Sequence, residues 1–256
     1  MAAFAFYRKV VALNTELHRN LKFSAEKANF SFARDTTAVL LAGVEFAEAS
    51  REYPIVFIKG QDKKMRPVVL LGIRNGENLY VDEQGKWDAH YIPAFVRRYP
   101  FVMAEGEVEG KLVVCIDEGC PALNADQGDL LINDEGKTEP RMNEMIAFLQ
   151  NFQTEFMQTE LIVKQLDEMG LLMQQGVRFD TNVGETFQLN DFFVIDEPKF
   201  RALEDAKLPE LFRNGAIGLI YLHLASMGNM RGLIERLTAR STGNRNATPA
   251  INTPLH

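Results

Sequence analysis

Tyr53-Pro54-Ile55-Val56-Phe57-Ile58, then Lys59-Gly60-Gln61-Asp62-Lys63-Lys64, then Pro67-Val68-Val69-Leu70-Leu71-Gly72-Ile73: two runs rich in β-branched and apolar residues flank one polar turn. Side chains of that kind suit a pleated, half-buried surface, and the connection is too short for a crossover, so the two strands are predicted to run antiparallel. Upstream, Val39-Leu40-Leu41-Ala42-Gly43-Val44-Glu45-Phe46 reads as another strand. Downstream, Asn75-Gly76 suits a tight hairpin into Asn78-Leu79-Tyr80-Val81-Asp82, because both turn positions tolerate positive φ. Phe101-Val102-Met103-Ala104 and Lys111-Leu112-Val113-Val114-Cys115-Ile116 flank Glu105-Gly106-Glu107-Val108-Glu109-Gly110 as a further hairpin. The first half is therefore expected to be a mainly antiparallel sheet.

Helices enter around this sheet. Residues 88–99 read as a short helix with Pro93 near its first turn, where a missing N–H costs little. From Glu139-Pro140 onward, Met142, Met145, Ile146, Leu149, Phe152, Phe156, Val163 and Leu166 recur at helical spacing until Gly170. That long amphipathic helix is expected to pack on the sheet, since Gln158, Thr159 and Gln165 interrupt a coiled-coil seam. Residues 171–195 then read as further strands broken at Asn182 and Gly184, and Asp196-Glu197-Pro198 opens a run of C-terminal helices punctuated by Gly215 and Gly228-Asn229. The fold class is α+β.

The chain has 256 residues and is 46% hydrophobic, enough for one sizeable domain, expected over 1–240. Ser, Thr, Asn and Pro dominate 241–256, which are expected to be disordered. Lys and Arg number 28 against 35 Asp and Glu, a net charge of −7, which argues against nucleic acid as a partner. No apolar stretch is long enough to span a membrane, and the apolar opening precedes its charges, the reverse of a secretory signal, so the expected compartment is the cytoplasm. Cys115 and Cys120 have neither the spacing of a thiol oxidoreductase nor a second pair to complete a zinc site, and they are expected as reduced thiols, with a disulfide or redox-sensitive pair as the alternative.

Phosphate-loop, dinucleotide-binding, nucleophile-elbow and zinc-protease signatures are all absent from the sequence, and no cofactor is expected. Asp117 and Glu118 at a strand exit could bind a cation, though a polar turn explains them as well. His18 is an isolated candidate base. The stretch from Trp87 to Phe101 carries more: Trp87, His90, Tyr91, Arg97, Arg98 and Tyr99 combine amphipathic rings with two guanidiniums, the composition of binding hot spots. It suits a carboxylate, a peptide terminus or a partner protein, against the competing reading of a core-packed helix with ion-paired arginines.

Several segments, in order along most of the chain, resemble the bacterial SapC family. They are Arg51-Glu52-Tyr53-Pro54-Ile55-Val56-Phe57, Leu71-Gly72-Ile73-Arg74, Glu77-Asn78-Leu79-Tyr80-Val81-Asp82 and Tyr91-Ile92-Pro93-Ala94-Phe95-Val96-Arg97-Arg98-Tyr99-Pro100-Phe101. Cys115-Ile116-Asp117-Glu118, Asp191-Phe192-Phe193-Val194-Ile195-Asp196-Glu197 and Ile220-Tyr221-Leu222-His223-Leu224-Ala225-Ser226-Met227-Gly228-Asn229 extend the likeness. The resemblance implies an association with bacterial surface-layer systems, and a setting near outer-membrane receptors and halogenase- or oxygenase-like proteins, but it assigns no catalytic residue. The leading expectation is a cytoplasmic accessory protein that binds a peptide or protein through the 87–101 region, with homo-oligomerisation left open. The alternatives are an unconventional enzyme or metal-dependent modifier drawing on His18, His90, Asp117, Glu118 or His223, and a structural surface-layer component.

Overall fold

Ile55–Lys59 and Met65–Leu70 pair antiparallel, from Ile55 opposite Val69 to Lys59 opposite Met65, in a computed structural model that describes residues 6–106, 111–124, 126–180 and 186–246. In chain order, β1 (Val10–Ala12), β2 (Lys22–Phe23), β3 (Ala38–Leu40) and the short helix α1 (Phe46–Ala49) lead into this hairpin, β4 and β5. After α2 (Ala94–Arg97) come β6 (Phe101–Glu105), β7 (Leu112–Asp117), β8 (Leu123–Asn124) and β9 (Asp129–Leu130). The long helix α3 (Pro140–Glu168) is followed by the hairpin β10 (Leu172–Asp180) and β11 (Thr186–Ile195). Four helices close the fold: α4 (Glu197–Arg201), α5 (Leu208–Arg213), α6 (Ala216–Ser226) and α7 (Met230–Asn246). The architecture is α+β, as expected.

The strands form three antiparallel sheets, ordered β10-β11-β4-β5-β3, β1-β7-β6 and β8-β2-β9. The largest joins the two halves of the chain, because Phe193 of β11 sits opposite Phe57 of β4. A bulge at Gln175/Val177, around Gly176, lets the long outer hairpin bend.

Helix α3 ties the sheets together. Pro140 opens it, and Gly170, at φ +67°, supplies the left-handed residue that stops it. Its buried stripe meets three apolar clusters in turn: Met142 and Leu149 pack with Phe101 and Ile116, Phe152 and Phe156 with Val39 and Phe95, and Val163 and Leu166 with Phe57 and Ile195. Thr159 sits in the same stripe and accepts the Gly43 N–H at 2.7 Å, which explains how a polar residue belongs on the packed face.

Helix α6 is fastened to the largest sheet by polar groups. The buried His223 donates from Nδ1 to the Ile55 carbonyl at 2.8 Å and accepts the Ile195 N–H on Nε2 at 3.1 Å, so the ring bridges β4 and β11 as a neutral tautomer. Ser226 Oγ accepts the Ile55 N–H at 3.0 Å. Burial pushes the His223 pKa down to about 4.

Four local expectations are corrected. The strand begun at Ala38 ends at Leu40, because the Glu45 carboxylate accepts the Ala42 N–H at 2.9 Å and winds Gly43–Glu45 into a single tight turn. Gly76 does turn the chain with φ +72°, but residues 78–82 form no ladder beyond a Val81–Trp87 bridge. Asn78 is the reason: it is buried and spends its amide on the Ala33 carbonyl and the Tyr80 N–H. The helix expected over 88–99 is confined to Ala94–Arg97. The last helix runs to Asn246, past the expected boundary at 240, while 247–256, the hairpin tip at 107–110, and Asn182 and Gly184 lie outside the described residues. Among the described residues no helix is long and apolar enough to cross a membrane.

Candidate functional site

Two carboxylates shape the segment from Trp87 to Phe101. Glu52 accepts the backbone N–H of His90 at 2.8 Å and of Tyr91 at 2.9 Å. Glu45 accepts the Tyr91 hydroxyl and the Ala94 N–H, each at 2.7 Å. Burial raises the Glu45 pKa even though these donors favour its charge. The Ala94 N–H, which a helix begun near residue 88 would send to the His90 carbonyl, is taken by Glu45, and Pro93 has no N–H to give, so α2 starts at Ala94 and sets Arg97 outward and Arg98 inward.

The six residues singled out from sequence therefore do not share one surface. Trp87 is a core residue, with its indole N–H donating to Tyr53 Oη at 2.9 Å and its ring beside Tyr80 and Phe30. Arg98 is buried too, its guanidinium 3.9 Å from the centre of Phe95 and 5.5 Å from that of Phe152, and burial lowers its pKa. Both side chains pack inside the fold. His90 is fully exposed beside Glu52, and Tyr91 is half-buried against Glu45. Arg97 and Tyr99 alone among the six line one open cleft.

Asp117 builds the back of that cleft. It is fully buried at the end of β7 and accepts the N–H groups of Arg8 and Lys9 at 2.9 Å, of Gly119 at 3.0 Å, and the Tyr99 hydroxyl at 3.2 Å. Burial opposes its charge, but the backbone donors outweigh it and hold the carboxyl below its usual range. Asp117 thus anchors the strand end, its oxygens taken up by three backbone N–H groups and one phenol. Tyr99, pinned by its hydroxyl, stacks on Phe32 at 3.9 Å and leans on Tyr7 at 5.3 Å. Burial, and the neighbouring Cys120 and Asp117, push its phenol well above the usual range.

The cleft that results has a volume of about 610 Å³. Phe23, Phe30, Phe32 and Tyr99 supply its rings, and Arg8, Lys27 and Arg97 its charge. Among the described residues its lining includes no Asp, Glu or His, and none of the three cations forms an ion pair. Arg66 shows the contrast, held by Asp62 and Glu160, each at 2.6 Å. Arg97 is oriented by other means: Nε donates to the Ile92 carbonyl at 2.9 Å, and the guanidinium lies 5.2 Å from the Phe148 ring. A second cavity of about 340 Å³ shares Phe23, Arg97 and Tyr99 and continues along α3 past Met145 and Phe148. A wider depression of about 760 Å³ between α3 and α5–α6 has no ring in its lining and carries charges of both signs, so it offers less specific chemistry.

The other candidates are scattered. His18 accepts the Asn14 N–H on Nδ1 and faces Glu118 from Nε2 at 3.3 Å, while Lys9 Nζ reaches Glu118 at 2.7 Å. Lys9 and then His18 hold Glu118 below its usual range. This surface cluster joins three segments and does not line the cleft. Cys115 and Cys120 are free and buried, and burial raises both thiols, so neither is poised as a thiolate nucleophile, although Cys120 lies in the cleft wall. No three His, Cys, Asp or Glu side chains gather into a metal-binding group among the described residues.

The sequence reading missed Arg8, Phe23, Lys27, Phe30 and Phe32. Their one visible signal is the alternation Phe30-Ser31-Phe32 in a polar stretch with no sheet or helix to bury it. In comparison with known proteins, a family model described as SapC matches residues 13–233, a span that holds every residue named in the cleft except Arg8. No curated protein and no solved structure matches the chain.

Proposed function

The chain belongs to the SapC family, and from its geometry we propose that it is a binding protein without catalytic chemistry of its own, whose aromatic and cationic cleft takes a peptide segment of a partner protein. One observation carries this reading. The cleft combines four aromatic rings with three cations that form no ion pair among the described residues, and the described lining holds no carboxylate or imidazole. Rings and guanidiniums give contact area and direction to a bound segment, which is what recognition needs. The sharing of Phe23, Arg97 and Tyr99 with the adjoining cavity favours an extended chain over a compact small molecule.

The binding surface differs from the one read in the sequence. Arg97 and Tyr99 stay in it, and the partners of Tyr91, His90, Trp87 and Arg98 are within the fold. We place the partner in a surface-layer or outer-membrane-receptor system, as the family resemblance implies, and the encounter in the cytoplasm, where two buried, unbridged cysteines such as Cys115 and Cys120 are at home.

Photocrosslinking in the native host tests this. A benzophenone side chain replaces Ser31, exposed in the cleft, or Val44, exposed in the wider depression. The expected result is an adduct with one identifiable partner from the Ser31 position, lost on adding Arg97→Ala. The absence of any adduct, or the same adducts from both positions, would overturn the reading.

A further inference from the structure

We propose that the cleft recognises the free C-terminus of its peptide: an apolar or aromatic last side chain enters among Phe30, Phe32 and Tyr99, and the terminal carboxylate meets Arg8, Lys27 and Arg97. This rests on reading the cleft as a peptide site and adds which part of the peptide is read.

Charge is the first argument. The chain as a whole carries −7, yet among the described residues this lining holds three cations and no carboxylate. A cleft so lined draws in an anion and disfavours an acidic residue placed against its apolar walls without reaching the cations. The buried carboxylates behind the wall do not cancel the effect at contact range: Glu45, which faces Arg97 electrostatically, spends its oxygens on the Ala42 and Ala94 N–H groups and the Tyr91 hydroxyl. Asp117 is fully buried, and its oxygens are occupied by three backbone N–H groups and the Tyr99 hydroxyl.

Covalent geometry supplies the second. At a C-terminus the last side chain and the carboxylate stem from one Cα, so an apolar body and a negative charge arrive together. An internal segment has to present them on separate residues and keep its backbone in register with both. The ordering of Arg97 by the Ile92 carbonyl and the Phe148 ring reduces the side-chain entropy lost on binding. The upstream chain has an exit, since the adjoining cavity leads from Arg97 and Tyr99 past Met145 and Phe148.

The test uses two synthetic pools of random octapeptides, identical except that one ends in a free carboxylate and the other in an amide. Each is passed over the immobilised full chain, and the retained peptides are identified by mass. Retention about tenfold higher from the free-acid pool is expected, a difference worth about 1.4 kcal/mol, with Phe, Leu, Met or Trp enriched at the last position. An Arg8→Ala/Lys27→Ala variant is expected to lose the free-acid advantage. Equal retention from both pools, or a preference that survives in that variant, would overturn the C-terminal inference while leaving the cleft a peptide site. Displacement of the retained peptides by an equimolar amount of N-acetylphenylalanine would overturn it in favour of a small aromatic acid. No retention from either pool would remove the peptide reading itself.

Discussion

The ring of Tyr99 lies face to face with that of Phe32, 3.9 Å between centroids and 20° from parallel, and the pair joins two walls of the cleft that are distant in sequence. Phe32 belongs to a turn with no regular strand or helix of its own beyond a single tight coil, so this stack and its contact with Phe6 hold the turn in place. Phe32→Ala is expected to cost roughly 2 kcal/mol, less than a fully buried phenylalanine would, and to weaken peptide binding as well. Tyr99→Phe keeps the stack and loses only the hydroxyl, so it should cost about 1 kcal/mol and leave binding intact. Chemical denaturation and peptide titration of both variants check the pair.

Adjacent arginines should separate cleanly. Arg97→Ala removes an exposed cation and is expected to change stability by less than about 0.5 kcal/mol while abolishing the adduct formed from the cleft. Arg98→Ala removes a buried guanidinium packed on Phe95 and Phe152, and about 2 kcal/mol of stability with it. Thermal melts set beside crosslinking yields distinguish the two.

Asp117 is expected to be the costliest single polar replacement. In Asp117→Asn, one face of the amide would present hydrogens to backbone N–H groups that now donate to an oxygen, a loss of about 3 kcal/mol. The pH dependence follows in sign. The folded carboxyl titrates below its ordinary value of 3.8, so its contribution is complete above that value and is lost as pH falls through the lower folded one. Denaturation midpoints of the wild type should therefore drop below about pH 4, with a shallower drop in the Asn variant.

His223 predicts a second and higher acid window. Its pKa is about 4 when folded against 6.5 when free, so the unfolded chain takes up the proton first. Stability is then full above pH 6.5 and declines as pH falls towards about 4, by up to about 3 kcal/mol. His223→Ala should flatten that slope, and it should also lower stability at neutral pH, because the Ile55 carbonyl and the Ile195 N–H lose their partner. Urea titrations at a series of pH values between these limits measure both effects.

The fold was largely legible where pattern and punctuation agree. The hairpin of Ile55–Lys59 and Met65–Leu70 follows from its apolar runs and turn, and the helix Pro140–Glu168 from its apolar spacing, opening proline and closing Gly170. Pattern and structure part where a side chain competes for the backbone: Glu45 ends a strand, Asn78 replaces a ladder, and Glu45 takes the Ala94 N–H that a longer helix would use. No local pattern announces such long-range or turn-forming bonds. The cleft is legible only through Arg97 and Tyr99, because its other walls are Arg8, tied by its backbone N–H to Asp117, and the Phe30–Phe32 turn, held by ring stacking on Tyr99.

The function proposed for the Tyr99–Phe32 cleft is to hold a peptide. Amide chemical shifts of the full chain, followed while a peptide retained from the free-acid pool is titrated in, test it most directly. Shifts are expected to concentrate at Phe32, Arg97, Tyr99 and Cys120, with Glu168 and Glu210 of the wider depression unmoved. Shifts centred on Glu168 and Glu210 with the cleft residues unmoved would contradict it.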